Sequence, residues 1–190
     1  LCRTDRFLSD DIKSKIALFC NVDVDQVITA KDVDSIYEVP LVFHQQHLDD
    51  KIVQLLNIWT RAPQLDNWEH LVEKIKHLKH SVTIAVVGKY IHLRESYKSL
   101  NEALFHGGIA NDCAVALDFV DSETIDSSGC QERLQNAHGI LVPGGFGSRG
   151  IEGKIRAIEH GRKNKIPFFG ICLGMQMAVV EYARHVAGMD

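Results

Sequence analysis

No stretch of the 190 residues is apolar for long enough to span a bilayer, so a membrane-spanning helix is not expected. Positive charge is not in excess: 21 Lys and Arg against 25 Asp and Glu leave a formal charge of -4, which argues against a nucleic-acid footprint. The five cysteines, Cys2, Cys20, Cys113, Cys130 and Cys172, are odd in number, widely spaced and form no C-x-x-C pair. That pattern excludes a disulfide framework and a zinc ribbon, and it predicts a reducing, cytoplasmic setting. There is no G-x-x-x-x-G-K phosphate loop, no internal repeat and no low-complexity tract. The opening Leu1-Cys2-Arg3-Thr4-Asp5-Arg6 has no secretion-signal pattern and no initiator Met. What is present is ordinary globular material, 45% hydrophobic and 24% charged, long enough for one or two domains.

The most informative stretch is Gly170-Ile171-Cys172-Leu173-Gly174. A lone Cys stands between two glycines, after an apolar strand predicted over 166–171 and before a helix predicted over 175–186. That helix carries Met175, Ala178, Val179, Tyr182, Ala183 and Val186 on one face, which is expected to be buried. A sharp strand-to-helix turn with flanking glycines is what a nucleophile elbow needs. The helix N-terminus favours thiolate, the reactive form of the side chain. A core Cys packed between strand and helix is the alternative.

A second loop bears on that choice. His138-Gly139-Ile140-Leu141-Val142 reads as a buried strand, and it runs into Pro143-Gly144-Gly145-Phe146-Gly147-Ser148-Arg149-Gly150. Four glycines in so short a span let backbone N–H groups point outward together, as an oxyanion hole requires. In a parallel α/β sheet both loops leave the carboxyl ends of their strands and can share a crevice. Thiolate and oxyanion loop together describe acyl transfer. Residues 145–150 also match G-x-G-x-x-G, but the loop follows the third strand of its domain. The next strand also ends without the acidic residue that a ribose needs, so cofactor binding is not expected there.

The organisation has three parts. Residues 81–190 alternate strand and helix: strands 81–87, 113–120, 138–142 and 166–171, with helices 95–106, 131–136, 151–163 and 175–186. The first of these helices is expected to end at Gly107-Gly108. This is an α/β pattern and predicts a doubly wound parallel sheet. Residues 1–60 show a helix over 11–19 carrying Ile12, Ile16 and Phe19, a short strand near 26–29 without a partner in the segment, and a helix over 48–58. They read as the helical tail of a larger domain. Between them, residues 61–80 form a linker whose helix carries Trp68, Leu71, Val72, Ile75 and Leu78 on one stripe and is expected to brace the two domains. His44 with His47 and His77 with His80 lack a third ligand nearby, so no metal site is expected.

The two glycine-rich motifs, Pro143-Gly144-Gly145-Phe146-Gly147 and Gly170-Ile171-Cys172-Leu173-Gly174-Met175-Gln176, resemble the glutaminase domain of class I glutamine amidotransferases. Val87-Gly88-Lys89-Tyr90, Tyr97-Lys98-Ser99, Tyr182-Ala183-Arg184-His185-Val186, Lys15-Ile16-Ala17-Leu18-Phe19-Cys20 and Lys31-Asp32-Val33-Asp34-Ser35-Ile36-Tyr37 narrow the resemblance to the CTP synthase family, over essentially the whole chain. The resemblance implies an incomplete class I glutaminase domain preceded by the tail of an amidoligase domain. It implies that Cys172 attacks the side-chain amide of glutamine, with Gly145, Leu173, Gly174, Met175 and Gln176 around the oxyanion and the substrate. It implies that Lys15 meets the uracil nucleotide and that Lys31, Asp32 and Val33 line an ATP site. It further implies ATP with Mg2+, UTP as acceptor, activation by GTP, feedback by CTP, and a homotetramer.

A thiolate also needs a general base, and the family's His and Glu lie well downstream of the elbow. After Cys172 the only His is His185, which at the helical rise lies roughly 20 Å further along the same helix. The chain is therefore expected to be truncated at both ends and to be inactive alone. An elbow-Cys hydrolase or peptidase of a related fold, and a non-catalytic binding module, remain as alternatives.

Overall fold

Two three-residue strands, too short to show in any periodicity, open the fold. β1 (Cys2–Thr4) and β2 (Thr29–Lys31) pair in parallel, Cys2 opposite Thr29 and Thr4 opposite Lys31. The strand expected to lack a partner therefore has one, contributed by the first residues of the chain. The computed structural model describes residues 1–89, 94–125 and 130–189. It divides into two compact units, Leu1–Lys76 and His77–Asp190. No helix among the described residues is long and apolar enough to cross a membrane.

In the first unit β1 leads to α1 (Asp10–Cys20), which ends where Asn21 turns left-handed. Of this helix only Ala17 is fully buried; Ile12 and Phe19, expected to face inward, are exposed. After β2 come α2 (Val39–Gln45), absent from the sequence reading, and α3 (Leu48–Leu55), three residues shorter than expected. Gln46 ties α2 to the sheet. Its amide donates to Thr29 O (2.7 Å) and Val42 O (3.2 Å) and accepts from Thr29 N (2.9 Å), satisfying backbone groups on β2. α4 (Asp66–Lys76) belongs to this unit: Trp68 Nε1 donates to Tyr37 O at 2.7 Å, Lys76 pairs with Glu38 at 3.1 Å, and Val72 is buried. The expectation set 61–80 apart as a linker; the structure draws one boundary, after α4.

The second unit holds a four-stranded parallel sheet. β3 (His80–Gly88), β4 (Cys113–Asp121), β5 (Gly139–Val142) and β6 (Phe168–Gly170) lie in the order β4-β3-β5-β6. The winding reverses between β3 and β5, the doubly wound pattern in which ligands sit outside the carboxyl ends of the strands. α5 (Lys98–Ala110) packs on β4; α6 (Cys130–Leu134), α7 (Ile151–Asn164) and α8 (Leu173–His185) complete the unit, with α7 and α8 against each other. The core joins Ala85 and Val87 of β3, Val120 of β4, Ile140 and Val142 of β5, Ile155 and Ile158 of α7 and Met177 of α8.

Three expectations are corrected here. α5 does not stop at Gly107-Gly108 but runs through it to Ala110. A Cβ on Gly108 would lie 2.4 Å from Cys113 O and 2.7 Å from Val115 Cγ2, so that glycine lets the helix close on β4. α8 buries Gly174, Met177 and Glu181, whereas Met175, Val179, Tyr182 and Val186, expected inside, are exposed. The helix is apolar on more than one side, so its pattern does not choose the face. Packing on the sheet and α7 chooses it, with Gly174 against Val142 and Met177 in the core. Phe169 of β6, read as part of a buried strand, is exposed as well.

Candidate functional site

The site is built where β5 and β6 end. β5 delivers the chain into Pro143-Gly144-Gly145-Phe146-Gly147, and β6 delivers it into Ile171-Cys172. Ile171 N donates to Val142 O at 3.0 Å, which carries the pairing of the two strands one step past β6 and fixes the loops side by side.

Cys172 has φ 51° and ψ -109°, a left-handed conformation that a side chain rarely adopts, and its thiol is exposed. In contrast, Cys130 is buried, and its thiol is pushed up by that burial. The elbow exists because two glycines interlock around it. A Cβ on Gly170 would sit 2.6 Å from Gly174 C and Met175 N; one on Gly174 would sit 2.0 Å from Val142 O. Gly174 N donates to Ile171 O and Gln176 N to Cys172 O, closing the first turn of α8 beneath the thiol. Cys172 is therefore the N-cap residue of a 13-residue helix. A strained backbone at such a position is a functional signature, since folding alone gains nothing from it.

The glycine loop lies against the elbow. A Cβ on Gly144 would be 3.4 Å from Cys172 Cβ, and one on Gly145 would be 3.8 Å from Leu173 Cδ2. Gly145 and Leu173, the expected oxyanion donors, are thus brought together beside Cys172. Leu173 N is an orphan donor by its place in the first turn of α8. Gly174 is buried, and Met175 and Gln176 are exposed on the first turn of α8. Lys89, just beyond β3, donates from Nζ to Phe146 O and so ties the loop to the end of β3. Tyr90, part of the same motif, lies outside the described residues.

One residue of this site escaped the sequence reading. Lys154 of α7 is fully buried, and its Nζ lies 3.8 Å from where a Cβ on Gly145 would stand. Burial pushes its pKa down, and Lys89 nearby adds to the effect. The signal was available: Lys154 falls in register with Ile151, Ile155 and Ile158 on the apolar face of α7.

His185 ends α8, a helix length away from Cys172, and its Nδ1 meets Glu181 Oε1 at 3.2 Å. Glu159, Glu181 and His185 form the one group of three close enough to share an ion among the described residues. Arg162 engages both Glu181 oxygens, at 2.6 and 3.0 Å, so the cluster is an ion-pair network already satisfied by protein. His44 and His47 pair with Asp49 and Asp50 on the first unit.

The residues expected to meet nucleotides lie on the first unit in two places. Lys31, Asp32 and Val33 line a hollow of about 480 Å³ with Arg3, Ile36, Val39, Val42 and Phe43. Arg3 Nε reaches Asp32 Oδ1 at 3.2 Å, and Lys31 lies over the Phe7 ring at 5.4 Å. Lys15 is exposed on α1, 3.5 Å from Asp11, and does not line that hollow.

Comparison with known proteins adds three findings. Residues 92–190 match the family model for class-I glutamine amidotransferase, and residues 1–58 match the model for the CTP synthase N-terminus. Among curated relatives, CTP synthase of Syntrophus aciditrophicus is 65% identical over the whole chain, which covers 35% of that relative. CTP synthase of Geobacter metallireducens is 61% identical, with 36% of it covered. The chain spans about a third of the length of these relatives. Among solved structures, the glutaminase domain of Trypanosoma brucei CTPS with bound acivicin superposes with a TM-score of 0.53 at 41% identity, covering 56% of this chain and 42% of that one.

Proposed function

The chain belongs to the class-I glutamine amidotransferase family, and from that membership we propose that its second unit releases ammonia from the side-chain amide of glutamine with Cys172 as nucleophile, and that the ammonia serves an ATP-dependent amination of UTP to CTP. The observation that carries the reading is the exposed Cys172 thiol on a left-handed elbow, backed by Gly144 and Gly145. A cysteine that served only packing has no need of that strain or that exposure.

The chemistry follows from the arrangement. The sulfur attacks the amide carbon of glutamine; the C–S bond forms, and the C=O π pair moves onto oxygen. The N–H groups of Gly145 and Leu173 stabilise that oxygen; one such donor is typically worth about 3 kcal/mol in the transition state. When the C=O bond re-forms, the C–N bond breaks, and the proton that left the thiol reaches the departing nitrogen as ammonia. Water then hydrolyses the thioester to glutamate and regenerates the thiol. Met175 and Gln176, exposed on the first turn of α8, are the groups proposed to meet the rest of the substrate. Acivicin, bound by the trypanosomal domain, is a glutamine analogue, which supports glutamine as the substrate here.

For the amination half, likeness to CTP synthases supports nucleotide contacts on the first unit. The hollow beside Lys31, Asp32 and Val33 has an apolar wall of Ile36, Val39 and Val42 suited to a base, and Arg3 and Lys31 suited to phosphate. Lys15 is the proposed contact for the uracil nucleotide. The hollow does not make a magnesium site: among the described residues Asp32 is its single carboxylate, and Arg3 already holds it. GTP as activator, CTP as feedback ligand and a homotetramer belong to the same proposal and rest on that likeness.

The test is Cys172→Ala in the full-length protein. Glutamine-dependent CTP formation should vanish, while CTP formation from added ammonia continues. Persistence of the glutamine-dependent reaction would overturn the reading.

A further inference from the structure

A buried lysine with no acidic partner is costly, and this chain keeps one beside its reactive loop. Lys154 is the largest of the fully buried side chains, 1% exposed. No hydrogen bond or ion pair of the described residues reaches its ammonium, although α7 and its surroundings carry many: Lys163 with Glu159, Arg162 with Glu181 and Arg184 with Glu152. The ammonium instead points at Gly145, 3.8 Å from the position of a notional Cβ there. In the same loop, Lys89 Nζ donates to Phe146 O. Two cations thus lie close to Gly145-Phe146. Removal from water leaves such a charge unscreened by salt, and its field falls on the nearest polar groups.

We infer that Lys154 is a positioning residue for the chemistry of Cys172: its ammonium, held behind Gly145, fixes positive charge behind the amide hydrogens that receive the tetrahedral oxygen. The inference rests on the assignment of Cys172 as the glutaminase nucleophile. An apolar side chain of similar length would fill the same space and serve the fold as well, so packing does not account for the charge. Burial, with Lys89 beside it, depresses the pKa from 10.5, so the folded state carries this proton at a cost. That cost is present in full below the folded pKa and is relieved as pH rises towards the unfolded value. Neutralising the side chain should therefore not weaken the fold at pH 7.

The test uses the full-length protein with Lys154→Met, Lys154→Arg and, in parallel, Cys172→Ala. Four quantities are read: kcat and KM for glutamine, inhibition by glutamate γ-semialdehyde, the thermal midpoint at pH 7, and the ammonia-dependent rate. The aldehyde accepts the thiolate at its carbonyl, forming a C–S bond and placing the π pair on oxygen, so its affinity reports on stabilisation of that oxygen. Lys154→Met should lower kcat about tenfold or more. It should weaken aldehyde inhibition by a similar factor, with KM changed less than about twofold and the ammonia-dependent rate unchanged, because only the charged tetrahedral state feels the ammonium. The midpoint should be equal or higher, and Lys154→Arg should restore part of kcat. Wild-type kcat and aldehyde inhibition in Lys154→Met would overturn the inference, as would an activity loss matched by a lowered midpoint that Arg does not rescue. Glutamine-dependent activity surviving in Cys172→Ala would overturn the nucleophile assignment instead.

Discussion

Alanine at Gly174 is a one-carbon change whose consequence can be worked out from the contact it makes. Its Cβ would lie 2.0 Å from Val142 O, 2.9 Å from Val142 C and 3.0 Å from Val142 Cβ. The first two obstacles are backbone atoms of β5, inside the sheet, and cannot swing aside. A carbon keeps about 3.3 Å from a carbonyl oxygen, so the start of α8 has to retreat by roughly 1.3 Å. Overpacking of this kind costs about 1–3 kcal/mol. The retreat also drags Cys172, two residues back, away from Gly144 and Gly145, and misplacing a reactive group by ~1 Å costs on the order of a hundredfold in rate. In the full-length protein Gly174→Ala should lower glutamine-dependent kcat by about that factor and lower the thermal midpoint by several degrees. Ammonia-dependent CTP formation should stay within about twofold, since it does not use the thiol. A variant with wild-type kcat and midpoint would refute the reasoning, because it would mean that α8 and β5 are not in the contact described.

Other expected outcomes follow from the same geometry. Gly107 has nothing within 4 Å of a notional Cβ, whereas Gly108 meets Cys113 O at 2.4 Å. Gly107→Ala should therefore stabilise α5 by about 0.4–1 kcal/mol, and Gly108→Ala should destabilise it, both read by chemical denaturation. Arg162, by hydrogen bonding first and charge second, holds the Glu181 carboxyl below the usual carboxylate range, with His185 adding to it. A depressed carboxylate contributes stability above its unfolded pKa and loses it as pH falls through the folded one. Arg162→Met should lower the midpoint at pH 7, and its gap from the parent should close as pH drops below about 4; a gap independent of pH would count against the pair. The 190-residue chain by itself should turn over no glutamine, since His185 is engaged with Glu181 at the far end of α8; turnover dependent on Cys172 would contradict this.

Much of the second unit is legible in the sequence because its signals are local. The β-branched run before Gly88, the buried Ile140-Leu141-Val142 and the two glycine motifs each announce an element or a turn within a few residues. What the sequence hides is decided by tertiary contact. β1 and β2 are three residues each and exist because they pair across the unit and because Gln46 satisfies β2 from α2. Gly108 looks like a helix stop, and only the proximity of Cys113 O reveals it as a contact point. α8 has apolar residues all round, so periodicity locates the helix without saying which side is in; Gly174 against Val142 settles that. Lys154 is hidden for the opposite reason: a charge on an apolar stripe reads as solvated until its burial is seen.

Covalent attack by one sulfur underlies the proposed glutaminase chemistry. Full-length protein mixed with glutamine and quenched in acid, then digested and weighed, tests it most directly. A γ-glutamyl thioester is expected on the peptide containing Cys172, formed within the first turnover and absent after hydroxylamine treatment. Steady glutamine hydrolysis with an unmodified Cys172 peptide, or with the glutamyl group on another residue, would contradict it.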